Sequence, residues 1–296
     1  MARWGRVLTA MVTPFDTDGR IDEPAVARLV DHLFETGTEG LIVCGTTGES
    51  PVLSSDEKLR MFDLAKCAAR RRGPIIAGVG SNDTAGTVLL ARRAADLGVD
   101  GLLLVTPYYN KPSQEGLYQH FRAVAQAADV PVMLYNVPGR TSVNMEAATS
   151  LRLARDLKNV VAVKEASGNL LQATDIAAGA PAGLELFSGE DGLVLPMLAI
   201  GATGVVSVTA HLVGRQMRAM HDAFFGGDLA GAARFHAEML PVVRACFQPT
   251  APSTAPLKAG LEMVGVPCGA PRLPLVAANE REREIMSAAL EGCGLL

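Results

Sequence analysis

The stretch Asn159-Val-Val-Ala-Val-Lys-Glu-Ala-Ser167, preceded by Glu146-Ala-Ala-Thr-Ser-Leu-Arg-Leu-Ala-Arg-Asp-Leu157, decides the fold. The later run is apolar on successive residues, the pattern of a strand buried on both faces of a parallel sheet. The earlier run spaces its apolar residues at helical intervals. Comparable strand runs stand at Val7–Thr13, Gly40–Cys44, Pro74–Val79, Gly101–Thr106, Pro131–Asn136, Val160–Lys164, Leu184–Ser188 and Val205–Thr209. Helical spacing fills the gaps at Glu23–Glu35, Ser55–Arg72, Thr84–Leu97, Gln114–Ala127, Glu146–Leu157, Leu170–Ala178, Leu193–Ile200 and Gly214–Phe225. Eight such alternations in an α/β chain fit a closed (β/α)₈ TIM barrel better than a doubly wound open sheet. Beyond Gly226-Gly227-Asp228 only helical patterns continue, at Leu229–Cys246, Ala255–Val264 and Asn279–Glu291. The expected organisation is a catalytic barrel over 1–226 and a C-terminal helical extension over 227–296. The short Pro-rich patch Gln248–Pro256 reads as a connection between helices.

Within that decisive stretch, Lys164 is out of place. Lysine is almost never fully buried without a partner or a task. Burial disfavours the ammonium form of a lysine, and a free amine attacks carbonyls to form a Schiff base. Lys164 therefore marks a candidate lysine-dependent aldolase or lyase, against the alternative of a strand-end lysine with its head in water.

Functional groups of such a barrel gather at the carboxyl ends of its strands. Three polar segments follow strand runs here: Gly45-Thr46-Thr47-Gly48-Glu49, Thr106-Pro107-Tyr108-Tyr109-Asn110-Lys111-Pro112 and Tyr135-Asn136-Val137-Pro138-Gly139-Arg140-Thr141. Glycines 45 and 48 allow backbone amides to turn toward an anion, and the threonine hydroxyls add donors. The Tyr135 phenol suits proton transfer at a carbonyl carbon. Arg140 suits two parallel hydrogen bonds to a carboxylate. Each residue alone has an ordinary structural reading; their convergence on one rim carries the argument. Arg70-Arg71-Arg72 reads as a solvated helix end.

The bulk numbers exclude other classes. A net charge of −4 over 296 residues offers no basic surface for nucleic acid or an anionic membrane. A small soluble substrate is expected instead. Cys44, Cys67, Cys246, Cys268 and Cys293 are odd in number and scattered, which suggests reduced thiols. His32, His120, His211, His221 and His236 lack metal-ligand spacing, so no metal is expected. Gly78-Val-Gly80 lacks the rest of a dinucleotide fingerprint, so no cofactor is expected. The first apolar run, of about seven residues, is too short for a signal-peptide core or a membrane span, and a cytoplasmic location is expected.

Gly45-Thr-Thr-Gly-Glu-Ser50, Tyr108-Tyr109-Asn110, Tyr135-Asn-Val-Pro-Gly-Arg-Thr141 and Val163-Lys-Glu-Ala-Ser-Gly-Asn169 together resemble the dihydrodipicolinate synthase family. That family belongs to the pyruvate-dependent class I aldolases, with N-acetylneuraminate lyase among its relatives. The resemblance spans nearly the whole chain and implies a barrel with a helical extension. It implies that Lys164 forms a Schiff base with pyruvate, that Tyr135 is the acid/base group, and that Thr47 bridges Tyr135 to Tyr109. Tyr109 would reach in from a neighbouring subunit, in a tetramer built from two tight dimers. Thr46 and Thr47 would bind the pyruvate carboxylate, while Gly189 and Val206 line the pocket. Arg140 would receive the carboxylate of L-aspartate 4-semialdehyde, giving 4-hydroxy-tetrahydrodipicolinate in lysine and diaminopimelate biosynthesis. The alternative is another pyruvate-dependent aldolase, acting on a 2-oxo-3-deoxy sugar acid or a 4-hydroxy-2-oxo diacid; Arg140 favours the first reaction.

Two departures from the family pattern stand out. Many members start the extension with an Asn-Pro pair, whereas this chain reads Phe247-Gln-Pro-Thr-Ala-Pro-Ser-Thr-Ala-Pro256. Lysine-sensitive members place histidines and an acidic residue where this chain has Ser55, Lys58 and Gly86. A cationic ligand would meet Lys58 and find no carboxylate at 86, so inhibition by L-lysine is expected to be weak or absent.

Overall fold

A computed structural model describes residues 3–249 and 253–296. Its strands are β1 (Val7–Ala10), β2 (Gly40–Val43), β3 (Ile75–Gly78), β4 (Gly101–Val105), β5 (Val132–Asn136), β6 (Val160–Glu165), β7 (Glu185–Ser188) and β8 (Gly204–Ser207). They form one closed barrel in chain order, and the strand pairs given by register are parallel. The helices are α1 (Glu23–Glu35), α2 (Ser55–Ala69), α3 (Thr84–Asp96), α4 (Gln114–Ala125), α5 (Pro138–Thr141), α6 (Ala147–Asp156), α7 (Leu170–Gly179), α8 (Val194–Ala199) and α9 (Ala210–Phe225), with α10 (Leu229–Cys246), α11 (Thr254–Met263) and α12 (Glu280–Gly292) in the extension. The Pro-rich patch begins between α10 and α11, but its last residues, Thr254, Ala255 and Pro256, form the first turn of α11 rather than a connection; its residues 250–252 lie outside the described residues, as do Met1 and Ala2.

Local chemistry sets where each helix starts. Side chains of Asp22, Ser54, Asp83, Ser113, Asn169, Asp228 and Asn279 accept backbone N–H groups at the first turns of α1, α2, α3, α4, α7, α10 and α12. Such caps satisfy donors that have no partner within the helix. Ser54–Glu57 and Asn279–Glu282 form reciprocal capping boxes.

Contacts divide the chain into two compact units, one of Arg3 with 74–206, the other of 4–73 with 207–296. In the first unit, β3 to β7 are buried nearly throughout, as their uninterrupted apolar runs require. Register sets Tyr135 beside Lys164 and Asn136 beside Glu165. Side chains alternate across a strand, so the two pairs face opposite ways. Asn136 and Glu165 turn to the helix layer, where Gln172 of α7 donates to Glu165 at 2.9 Å. Tyr135 and Lys164 therefore occupy the inner face.

In the second unit, α9 begins earlier than its apolar spacing suggests. Ser207 Oγ accepts the Ala210 N–H at 2.8 Å, and the backbone leaves helical geometry at Val213 before resuming. Gly214 then passes so close to the end of α1 that a Cβ there would lie 2.5 Å from the Thr36 carbonyl. The arginine run after α2 is not simply solvated: Arg72 pairs with Asp31, donates to the Ala68 and Ala69 carbonyls, and lies over the Phe34 ring. Arg70 and Arg71 do project as exposed residues with positive φ.

Candidate active site

Lys164, on β6, is 5% exposed. Its Nζ stands 4.1 Å from the centre of the Tyr135 ring, a distance at which the π face attracts a cation. No ion pair forms on it among the described residues. Gly189, just past β7, makes room for the side chain, since a Cβ there would lie 3.0 Å from Lys164 Cε. Val206 is buried on β8.

Glu190 follows Gly189, and burial, reinforced by Asp191, pushes its carboxyl above the ordinary range. Lys164 and Arg140 pull it the other way, so both cations act on the same carboxyl. Arg140 is exposed on α5, a single turn that the sequence pattern did not reveal. Thr106, at the end of β4, ties that turn down by donating to Thr141 Oγ1 at 3.2 Å.

Behind this face lies a buried carboxylate to which the sequence reading gave no role. Glu165 accepts from the Asn136 side chain at 3.2 and 3.1 Å, from the Ser167 N–H at 2.7 Å and from Gln172. Asn136 Oδ1 in turn accepts the Met145 N–H at 2.9 Å. Two charged residues ending an apolar run was the signal available.

Tyr109 is not brought against Lys164 or Tyr135. It is 87% exposed, at the middle of a γ-turn with φ +73° closed by Asn110 N–H to the Tyr108 carbonyl at 2.9 Å. Such a turn is rare and strained, of the kind found at functional sites. Asn110 fixes it by donating to the Asn82 carbonyl at 2.9 Å.

In the second unit, Thr46 and Thr47 sit in the turn after β2. Cys44 and Glu49 flank it with φ +56° and +58°, and a Cβ on Gly48 would lie 2.9 Å from the Met11 carbonyl. The Thr13 hydroxyl donates to the Gly48 carbonyl at 2.6 Å. Burial raises the Cys44 thiol far above its usual range, so it stays protonated. Among the described residues no cluster could hold a metal ion, and no helix is long and apolar enough to cross a membrane.

The sequence profile of the dihydrodipicolinate synthetase family matches residues 3–292. The chain belongs to this family. It is 52% identical to the 4-hydroxy-tetrahydrodipicolinate synthase of Moorella thermoacetica over 294 residues, covering 99% of this chain and 100% of that protein. The synthase of Symbiobacterium thermophilum is 52% identical over 296 residues, covering all of both. The structure of the synthase from Cyanidioschyzon merolae with lysine bound matches with a TM-score of 0.97 at 43% identity, covering 100% of both chains. The match takes in both the barrel and the C-terminal helices.

Proposed function

We propose that this chain condenses pyruvate with L-aspartate 4-semialdehyde to give 4-hydroxy-tetrahydrodipicolinate, in lysine and diaminopimelate biosynthesis. It is a Schiff-base-forming lyase. The observation that carries the reading is Lys164, buried and without an ion pair against the Tyr135 ring, in a chain half-identical to named synthases. Those names, with Arg140, favour this reaction over an aldolase for sugar acids or hydroxy-oxo diacids.

Lys164 Nζ attacks C2 of pyruvate, and the carbinolamine loses water to give a protonated imine. The imine withdraws electrons, a proton leaves the methyl carbon, and an enamine forms. The enamine carbon attacks the aldehyde carbon, and the new alkoxide takes a proton. The substrate's own amine then adds to C2, closing the ring and expelling Lys164 as the free amine. Tyr135 carries protons in these steps. Thr46 and Thr47 hold the pyruvate carboxylate, Arg140 holds that of the semialdehyde, and Gly189 and Val206 shape the pocket.

Tyr109 completes the relay through Thr47 in a neighbouring subunit, which its outward position at the tip of a strained turn supports. The working assembly is then a tetramer of two tight dimers, in the cytoplasm, with 1–226 as the catalytic barrel and 227–296 as the extension. Inhibition by L-lysine is weak or absent, because Lys58, half-buried on α2, meets a cationic ligand with like charge; an inhibition constant well below millimolar would refute this.

The test is reduction with borohydride in the presence of pyruvate, followed by peptide mapping, alongside turnover of L-aspartate 4-semialdehyde. A stable adduct at Lys164 and preference for the semialdehyde are expected. An adduct at another lysine, or faster turnover of a sugar acid, overturns the reading.

A further inference from the structure

We propose that the ion pair between Glu49 and Lys258 is a positioning device for the turn that receives the pyruvate carboxylate, so that side chains of the helical extension set pyruvate affinity. This rests on the roles given above to Thr46 and Thr47. Glu49 closes the turn: its N–H donates to the Thr46 carbonyl at 3.1 Å, and the next N–H, of Ser50, donates to the Gly45 carbonyl at 3.3 Å. It does so with φ +58°, a conformation that a non-glycine residue keeps only when its surroundings impose it.

The extension supplies those surroundings. Lys258 Nζ of α11 stands 2.8 Å from Glu49 Oε1, with the two side chains 3% and 1% exposed. The Arg272 N–H donates to Oε2 at 2.8 Å, so each carboxylate oxygen has a partner from the extension. The Arg272 guanidinium then donates to the carbonyls of Gly19 at 2.7 Å and Val52 at 3.0 Å and pairs with Glu57 at 2.5 Å. Lys258 Nζ and Arg272 Cζ also lie 4.5 and 4.3 Å from the Phe15 ring centre. A second hold comes from α11, where the Thr254 hydroxyl donates to the Thr47 carbonyl at 3.5 Å.

A buried ion pair is a poor source of net stability, since both groups give up water to form it. What it does supply is geometry, by holding one backbone conformation that an apolar pair would leave loose. Amides and hydroxyls that grip a carboxylate need that fixity, because a misplacement of about 1 Å can cost on the order of 10²-fold.

The experiment uses the full chain carrying Glu49→Gln with Lys258→Met, which leaves no unpaired buried charge, and compares it with Lys258→Arg. The pyruvate concentration that half-saturates borohydride trapping is expected to rise about tenfold or more in the double variant. The fraction trapped at saturating pyruvate and the KM for the semialdehyde should stay within about twofold of the parent. Lys258→Arg, which keeps a cation, should recover most of the affinity. An unchanged half-saturation in the folded double variant, or equal losses for both substrates, overturns the proposal. Thr47→Val separates the two readings: if it too leaves pyruvate affinity untouched, the assignment of the turn fails, whereas a rise in Thr47→Val alone removes only the positioning role.

Discussion

Two lysines in this chain are almost equally buried, Lys164 at 5% and Lys258 at 4% exposure, yet their surroundings differ in kind. Lys258 lies 2.8 Å from a buried carboxylate and also donates to the Ala270 carbonyl at 3.4 Å. Burial lowers its pKa, and Glu49 opposes that shift. Lys164 has an aromatic face, the gap left by a glycine, and no ion pair among the described residues. An ammonium committed to a carboxylate holds structure in place; an amine kept clear of one is available to a carbonyl. Burial alone therefore does not separate the two lysines; the carboxylate that one has and the other lacks does.

The comparison breaks most sharply at the lysines themselves. Lys164→Ala should abolish pyruvate trapping and lower kcat/KM by about 10⁴-fold or more, as loss of a nucleophile does elsewhere. Lys258→Met should still trap pyruvate when the keto acid saturates. Retained trapping in Lys164→Ala would invert the two roles. For folding the order reverses: Lys258→Met strands the Glu49 carboxylate and should cost about 3–5 kcal/mol in urea unfolding, most of it recovered when Glu49→Gln is added. Additive losses in the double variant would show that the two residues do not act as a pair.

The difference between the lysines was only half legible in the sequence. Parallel strands buried on both faces must run apolar, so all eight could be read, and a charge inside one of them stood out. α1 and α10 carry the bounds their spacing predicts, because side-chain caps fix their starts. The short α5 and the early start of α9 were not legible, since a single turn has no periodicity and the backbone of α9 leaves helical geometry at Val213. Lys258 drew no notice because α11 is apolar around it and its partner lies far away in the chain; the related contact from Thr254 to Thr47 spans 207 residues. Arg72 is exposed, as its run suggests, but its pairing with Asp31 of α1 was hidden for the same reason. Local patterns expose a residue that breaks them, whereas pairings across the fold leave no mark in either segment.

A third buried base sharpens the contrast by being neutral. His211 is fully buried; its Nδ1 donates to the Val208 carbonyl at 2.7 Å and its Nε2 accepts the Val12 N–H at 3.2 Å. Burial takes its pKa from 6.5 down to about 4. Below pH 6.5 the unfolded chain takes up a proton that the folded chain refuses, so this site's contribution is whole above that pH and declines as pH falls toward 4. The slope is about 1.4 kcal/mol per pH unit, or about 3 kcal/mol across the window. His120, also lowered to about 4 by burial, acts in the same direction. Urea midpoints at pH 7 and pH 4.5 should therefore differ less in His211→Gln than in the parent, and parallel behaviour would remove His211 from the account.

The smallest expected effect comes from one methyl group, and it tests whether the space around Lys164 matters as much as the partner it lacks. A Cβ added at Gly189 would lie 2.5 Å from Ala166 Cβ and 3.2 Å from the Glu165 carbonyl, atoms at the carboxyl end of β6 with little freedom to move. It would also lie 3.0 Å from Lys164 Cε, so the shift that the Ala166 contact forces and the give in the flexible lysine stem both move the amine. In Gly189→Ala the amine should swing off the Tyr135 ring, lowering the rate of Schiff-base formation about tenfold, an effect of about 1.4 kcal/mol. Gly292→Ala, where an added Cβ meets nothing within 4 Å, should leave the rate unchanged. If Gly189→Ala traps pyruvate as fast as the parent, the amine tolerates displacement, and the absence of a carboxylate alone would distinguish Lys164 from Lys258.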